Sequence, residues 1–190
     1  MSVKELSLNI LDIVENSIKS GAKNINLEIE EDNVKDFLVI TVKDDGKGMD
    51  DEFVRIIFDP FTTTSTNKKV GLGLPLLREE AENCGGGIEI QSEKEKGTIV
   101  VVKFKHSHID RPPMGDLAST ILTIIATNPE INFLYVHKVN GKIFKLSTKE
   151  IREIVGDTAA LRDVTILKWL GDYVRENIKT LYGGKENGKN

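Results

Sequence analysis

An α+β fold is predicted for this chain from three observations. Apolar residues open it at helical spacing (Val3, Leu6, Ile10, Ile13, Val14 and Ile18), strand-like runs such as F-L-V-I-T-V follow, and a second mixture of helical stripes and strands lies beyond a proline-bearing junction.

Each element has a local reason. The first helix is expected over 3–20 and ends at Gly21, because glycine takes the left-handed conformation that closes a helix. Strands are expected over 24–30, where Ile25, Leu27 and Ile29 alternate with polar residues, and over 36–43, with the acidic E-E-D-N between them as a hairpin turn. Short helices over 50–57 and 75–83 come next, the second with Pro75 near its first turn, where a missing N–H costs nothing. Gly85, Gly86 and Gly87 break the chain, and strands over 88–92 and 98–105 flank the charged turn E-K-E-K-G. H-S-H-I-D-R-P-P then reads as a linker, since two adjacent prolines cannot continue a strand ladder, and a boundary is placed near Arg111.

The remaining segment predicts a helix over 116–127, strands over 132–139 and 142–146 joined by Asn140-Gly141, and helices over 148–155 and 163–181. Ile166, Leu170, Val174, Ile178 and Leu181 form one stripe on the last helix, which something must cover. The expected division is therefore 1–108, a linker over 109–115, a small α+β domain over 116–182 and a disordered tail over 183–190. No internal repeat is visible.

Bulk properties exclude several classes. With 190 residues, 39% hydrophobic and 29% charged, the chain suits a globular protein with a true core. A net charge of -4 gives no general attraction to nucleic acid or to an anionic membrane, so neither is an expected partner. No apolar run approaches the roughly 20 residues of a membrane span, and the start lacks the pattern of a signal peptide, so a cytoplasmic location is expected. Cys84 is the only cysteine, which rules out an internal disulfide and suits a small near-core side chain.

Four segments could carry chemistry. On the first helix Asn9, Asp12, Glu15, Asn16 and Lys19 share one side, which alone would be the solvated face of an amphipathic helix. Asp44-Asp45-Gly46-Lys47-Gly48-Met49 ends a strand; alone it could be a hairpin turn, and it lacks the earlier acids of a calcium loop. Phe58-Asp59-Pro60-Phe61 could be two core aromatics, and Gly71-Leu72-Gly73-Leu74 a flexible lead into a helix. G-x-x-x-x-G-K-[ST], the third glycine of a dinucleotide fold, and the H-R-D and D-F-G of protein kinases are all missing.

In order and spacing these segments resemble the four boxes of the GHKL ATPases, the group of gyrase, the heat-shock chaperones, histidine kinases and the mismatch-repair ATPases. The N box is D-I-V-E-N-S-I-K-S-G-A, the first glycine box D-D-G-K-G-M, the F box F-D-P-F and the second glycine box G-L-G-L. Downstream, G-G-G-I-E-I-Q-S-E-K-E-K-G-T-I-V-V-V-K-F resembles the closing strands of a histidine-kinase catalytic domain. The resemblance spans roughly residues 3–106 and implies a two-layer α/β sandwich over 1–108, a mixed sheet covered by helices on one face, known as the Bergerat ATP-binding fold.

It also implies roles. Asp44 would accept the adenine amino group, which suits a carboxylate because it only accepts, and Gly46 and Gly48 would let backbone approach the base. Met49, Phe58 and Thr98 would also belong to the nucleotide-binding site. Asn16 would coordinate Mg2+ through its amide oxygen, and Asp12, one turn earlier, would orient or deprotonate the attacking water, with Glu15 a less favoured substitute. Gly71, Leu72, Gly73 and Leu74 would offer backbone N–H groups and a helix N-terminus to the phosphates. Residues 62–69 would form the ATP lid, with Thr63, Thr64, Lys68 and Lys69 as phosphate contacts, although plain solvation serves the lysines equally well. Phe58 and Phe61 would anchor the start of the lid in the core.

The match also departs from the family pattern. The N box begins so near Met1 that no room is expected for a phosphoacceptor helix pair, and His106, His108 and His137 lack the acceptor context, the first two reading as surface residues. The strand that ordinarily precedes the N box is missing, which leaves four strands unless the C-terminal hairpin or another chain supplies one. Residues 116–182 carry no motif that points to a family and are expected to pack as a small core on the ATPase domain or on a second copy, with ligand sensing as an alternative. The function expected is an Mg-ATP-binding, histidine-kinase-like domain in signal transduction that passes the gamma phosphate to a separate protein. The alternatives are an ATP-gated switch or slow ATPase that regulates a partner, and a nucleotide-binding relic without turnover. Expected partners are ATP or ADP, a separate protein and, as a further option, a second copy of the chain.

Overall fold

The computed structural model describes residues 5–59 and 73–184. The helices are α1 (Leu6–Lys19), α2 (Asp51–Ile56), α3 (Gly73–Asn83), α4 (Leu117–Thr127), α5 (Thr148–Val155) and α6 (Val164–Leu181). The strands are β1 (Asn24–Asp32), β2 (Phe37–Asp44), β3 (Gly87–Glu93), β4 (Gly97–Lys105), β5 (Asn132–Val139) and β6 (Lys142–Ser147). A short 3-10 turn, Ala159–Arg162, precedes α6.

Among the described residues the strands form one mixed sheet in the order β3-β4-β2-β1-β5-β6. Period-two alternation turns Ile25, Leu27 and Ile29 of β1, Leu38, Ile40 and Val42 of β2, and Val100, Val102 and Phe104 of β4 to one face, where α1, α3, α4 and α6 cover them in a single core. This is the mixed sheet with helices on one face that the residue pattern and the family resemblance predict.

The C-terminal segment provides the missing strand. β5 lies parallel to β1 from Asn24 opposite Asn132 to Glu31 opposite Val139, and β6 closes that side as an antiparallel edge. One core therefore runs through the boundary expected near Arg111, and Leu117, Ile121, Phe133, Leu170 and Val174 belong to the same buried cluster as Leu6 and Ile10. The expected linker also has a defined role: Pro113 and Met114 carbonyls accept from the Leu6 and Ser7 N–H groups at 2.9 Å, satisfying donors that every helix start leaves unpaired. Helix starts further along cap themselves, with Asp50, Asp116, Ser147 and Asp163 each accepting a backbone N–H of its own first turn.

The first hairpin turns later than expected. Glu30, Glu31 and Asp32 stay in β1, and the reversal falls on 33–36, with Asp36 at φ 58°. The reason is Glu31, which faces the core and is only 4% exposed. Its carboxylate accepts from His137 at 2.9 Å, from His106 at 3.0 Å and from the Tyr182 hydroxyl, while Tyr135 and His137 are joined at 2.7 Å. His106, expected at the surface, is thus partly buried as part of this cluster.

Burial pushes the Glu31 carboxyl upward, but the bonds from His137, Tyr182 and His106 outweigh it and hold the group at about 2, below its ordinary 4.5. Because folding lowers this value, the stabilisation is complete above about 4.5 and is lost as the pH falls toward about 2. Glu31→Gln is expected to lose about 1–3 kcal/mol near neutral pH, and its difference from the unaltered protein is expected to shrink through that acid window. Denaturant unfolding at neutral pH and in acid checks both.

Candidate functional site

The site assembles where β2 ends against α1. Asp44 is the last residue of β2 and faces the helix layer, 7% exposed. A buried carboxylate is costly unless its oxygens are bonded, and both are: Ser17 of α1 donates to Oδ2 at 2.7 Å and the Gly46 N–H donates to Oδ1 at 2.8 Å. Each carboxylate oxygen accepts more than one bond, so capacity remains for a ligand donor.

Glycines at this corner are needed for close approach. A Cβ on Gly48, at φ +62°, would lie 2.0 Å from the Glu93 carbonyl oxygen, and one on Gly97, at φ +105°, would lie 2.0 Å from the Asp44 carbonyl oxygen. At Gly46 the Cβ would meet a side-chain atom instead, Ser20 Oγ at 1.9 Å. Thr98 pairs with Asp44 across β4 and β2, and its hydroxyl is 2.9 Å from Ser92 Oγ, which in turn accepts from the Met49 N–H at 2.9 Å. Met49 and Thr98 are thus brought to the same corner as Asp44.

On α1, Asp12 and Asn16 are exposed one turn apart, next to the buried Ser17 that touches Asp44. Asp12 Oδ2 is 3.8 Å from the point where a Cβ on Gly73 would sit, which brings the carboxylate to the first residue of α3. Asn9 of α1 donates to Glu80 of α3 at 3.4 Å, so the two helices run side by side here. The structure therefore gathers Asp12, Asn16, Asp44, Gly46, Gly48, Met49, Gly73 and Thr98 around one end of the sheet. Leu74 packs partly buried against the core. Phe58 differs from its expected core anchorage: it is half-buried, with the Arg78 guanidinium 4.8 Å from its ring centroid. Phe61, Thr63, Thr64, Lys68, Lys69, Gly71 and Leu72 lie outside the described residues.

Sequence reasoning missed the supporting residues. Ser17 follows Asn16 in the N box, and its helical position turns it toward the strands, a signal that could have found it. Asp45 is a second miss: it accepts from the Lys23 and Asn24 N–H groups at 2.7 and 2.8 Å and from the Asn24 side chain at 2.6 Å. Burial acts to raise its pKa, but these bonds prevail and keep it below the ordinary value. Among the described residues, no group of three or more His, Cys, Asp or Glu side chains is arranged to hold a metal, so any ion here would rely on other oxygens.

Known proteins resemble this chain in sequence and in fold. The family model for histidine kinase-, DNA gyrase B-, and HSP90-like ATPases matches residues 2–108. Sensor histidine kinase YvrG of Bacillus subtilis is 28% identical over 98 residues, 50% of this chain and 17% of that protein. Sporulation kinase A of the same organism is 33% identical over 103 residues, 54% of this chain and 16% of that protein. The chain thus spans less than a fifth of these two relatives. A crystal structure of the N-terminal domain of a DNA repair protein shares the fold, with a TM-score of 0.53 and 17% identity over 75% of this chain and 52% of that one. No helix among the described residues is long and apolar enough to cross a membrane.

The two kinds of glycine contact predict different outcomes. Gly97→Ala is expected to destabilise by about 2 kcal/mol or more, since backbone blocks the new Cβ and φ is positive. Gly46→Ala is expected to be milder and to be partly restored by Ser20→Ala; thermal unfolding of the three variants tests the order.

Proposed function

We propose that this chain, which belongs to the histidine kinase-, DNA gyrase B-, and HSP90-like ATPase family, binds Mg-ATP at the end of β2 and passes the gamma phosphate to a separate protein. Residues 2–108 are its histidine-kinase-like ATP-binding domain. The observation that supports the site assignment best is the Asp44 carboxylate, buried yet fixed by Ser17 and Gly46 with acceptor capacity left over. Such a group favours a base edge that donates hydrogen bonds, as adenine does through its amino group, over one that presents a carbonyl.

The residues present fit a hard divalent ion. Asn16 offers an amide oxygen on the exposed face of α1, and Mg2+ completes its shell with phosphate oxygens and water, so no carboxylate cluster is required. When bound, the ion would supply charge neutralisation at the phosphates.

Asp12 is the residue that acts on the incoming group in this reading, supported by its position beside the first residue of α3. In the transfer, a nucleophilic side chain of the partner bonds to the gamma phosphorus, the bond from that phosphorus to the beta-gamma bridging oxygen breaks, and ADP leaves with the electron pair. The proton of the nucleophile passes to the Asp12 carboxylate. The same carboxylate beside Gly73 equally suits activation of water, which favours a second reading, a slow ATPase or ATP-gated switch that alters a partner surface. A cytoplasmic setting, where ATP is abundant, suits either reading.

Titration with Mg-ATP and Mg-GTP, followed by tracing a labelled gamma phosphate, tests the proposal. Asp44→Ala is expected to weaken ATP by about 100-fold or more, with GTP weak throughout. Asp12→Ala is expected to keep ATP affinity and to lose about 100-fold in phosphoryl transfer. Label on an added partner protein supports transfer, label in free phosphate supports the second reading, and unchanged affinity in Asp44→Ala overturns both.

A further inference from the structure

We propose that Asn132 and Arg152, outside the 2–108 family match, are positioning residues for the loop that carries Asp44, and that they set how well the site distinguishes adenine from other purines. The inference rests on the reading of Asp44 as the adenine contact.

A head-to-tail relay links them. Arg152 of α5 donates to the Asn132 side-chain oxygen, Asn132 donates to the Asn24 side-chain oxygen at 2.8 Å, and Asn24 donates to the Asp45 carboxylate at 2.6 Å. The two ends fix its direction. A guanidinium only donates and a carboxylate only accepts, so each amide between them has one orientation that satisfies both neighbours. Arg152 is held in turn by the Pro129 and Ile131 carbonyls at 2.8 and 3.0 Å, where β5 begins.

The far end of the relay is one residue from the ligand contact. Asp45 lies between Asp44 and Gly46, and the Gly46 N–H is what orients Asp44 Oδ1. The other side of this loop is held by the Lys47 N–H on the Ser20 carbonyl at 3.0 Å and by the Met49 N–H on Ser92. The Lys47 carbonyl accepts from the Glu95 N–H at 2.7 Å, and the Asp45 clamp holds the near side, just before Gly46. A break in the relay releases the Asn24 side chain from Asp45 Oδ2 and leaves Asp45 held through Oδ1 alone by the Lys23 and Asn24 N–H groups, which loosens the turn at Gly46 and shifts the donor on Asp44 Oδ1, while Ser17 still holds Oδ2.

Two nucleotides separate this role from general stability. ITP carries a carbonyl where ATP carries the amino group, so it cannot donate to Asp44. In the full chain, Asn132→Ala, Asn132→Asp and Arg152→Ala are expected to weaken Mg-ATP by roughly 5- to 10-fold and Mg-ITP by less than about 2-fold, lowering the preference for ATP. Asn132→Asp keeps the side-chain shape and the Arg152 bond but cannot donate to Asn24, so it decides the matter if the alanine variant fails to fold. Arg152→Lys should restore part of the preference. Tyr182→Phe, which removes a Glu31 contact at the other end of the sheet, should change neither affinity. A preference for ATP over ITP that is unchanged in Asn132→Asp overturns the proposal. If the unaltered protein shows no such preference, or Asp44→Ala keeps full ATP affinity, the adenine assignment falls instead.

Discussion

A carboxylate sealed under a helix at the end of a strand is costly unless each of its oxygens finds a donor, and the architecture around Asp44 follows from that constraint. Ser17 must sit on the inner side of α1, Gly46 must turn its N–H back, and Gly97 must lack a side chain so that β4 can approach. The strand register then sets Thr98 beside Asp44, and the helix phase sets Asp12 and Asn16 on the adjoining exposed face. Chemistry is concentrated at this corner because the fold already has to solve a polar problem there.

The inner face of the sheet carries a second buried acid, Glu31, near the opposite end of β1. The two are satisfied differently. Asp44 is held by two donors and keeps room for more, whereas Glu31 takes His106, His137 and Tyr182, drawn from just past β4, from β5 and from the end of α6. The first arrangement suits a ligand and the second suits a fastening. Glu31 ties the end of the last helix to the strand at the centre of the sheet, so the C-terminal segment is bonded to the ATP-binding domain at one end through Glu31 and at the other through Asn24.

Much of this was legible in the residue order. Among the described residues, helical and strand periodicities located each α-helix and β-strand to within a few residues, because burial on one face leaves a pattern that any local window contains. The four boxes in order pointed to the corner at Asp44. What local windows lack is the partner of a non-local pair. Nothing near Asn132 states that β5 will lie beside β1, nothing near Glu31 states that a histidine over a hundred residues away permits it to stay inside a strand, and nothing at Pro113 announces a cap for α1. Ser17 was within reach of the helical wheel, while the roles of Asp45 and Arg152 depend on side chains that meet only after the chain has folded.

The placement of β5 has a consequence for anyone who would trim the molecule. A piece that stops at the family boundary would leave β1 with one flank of bare amide and carbonyl groups, and the first turn of α1 without the Pro113 and Met114 oxygens. Such a fragment would offer its raw edge to any extended peptide nearby, including its own siblings, and would tend to associate through swapped or stacked strands. Here β5 and β6 act as the selvedge of the sheet, finishing a border that would otherwise fray into its neighbours.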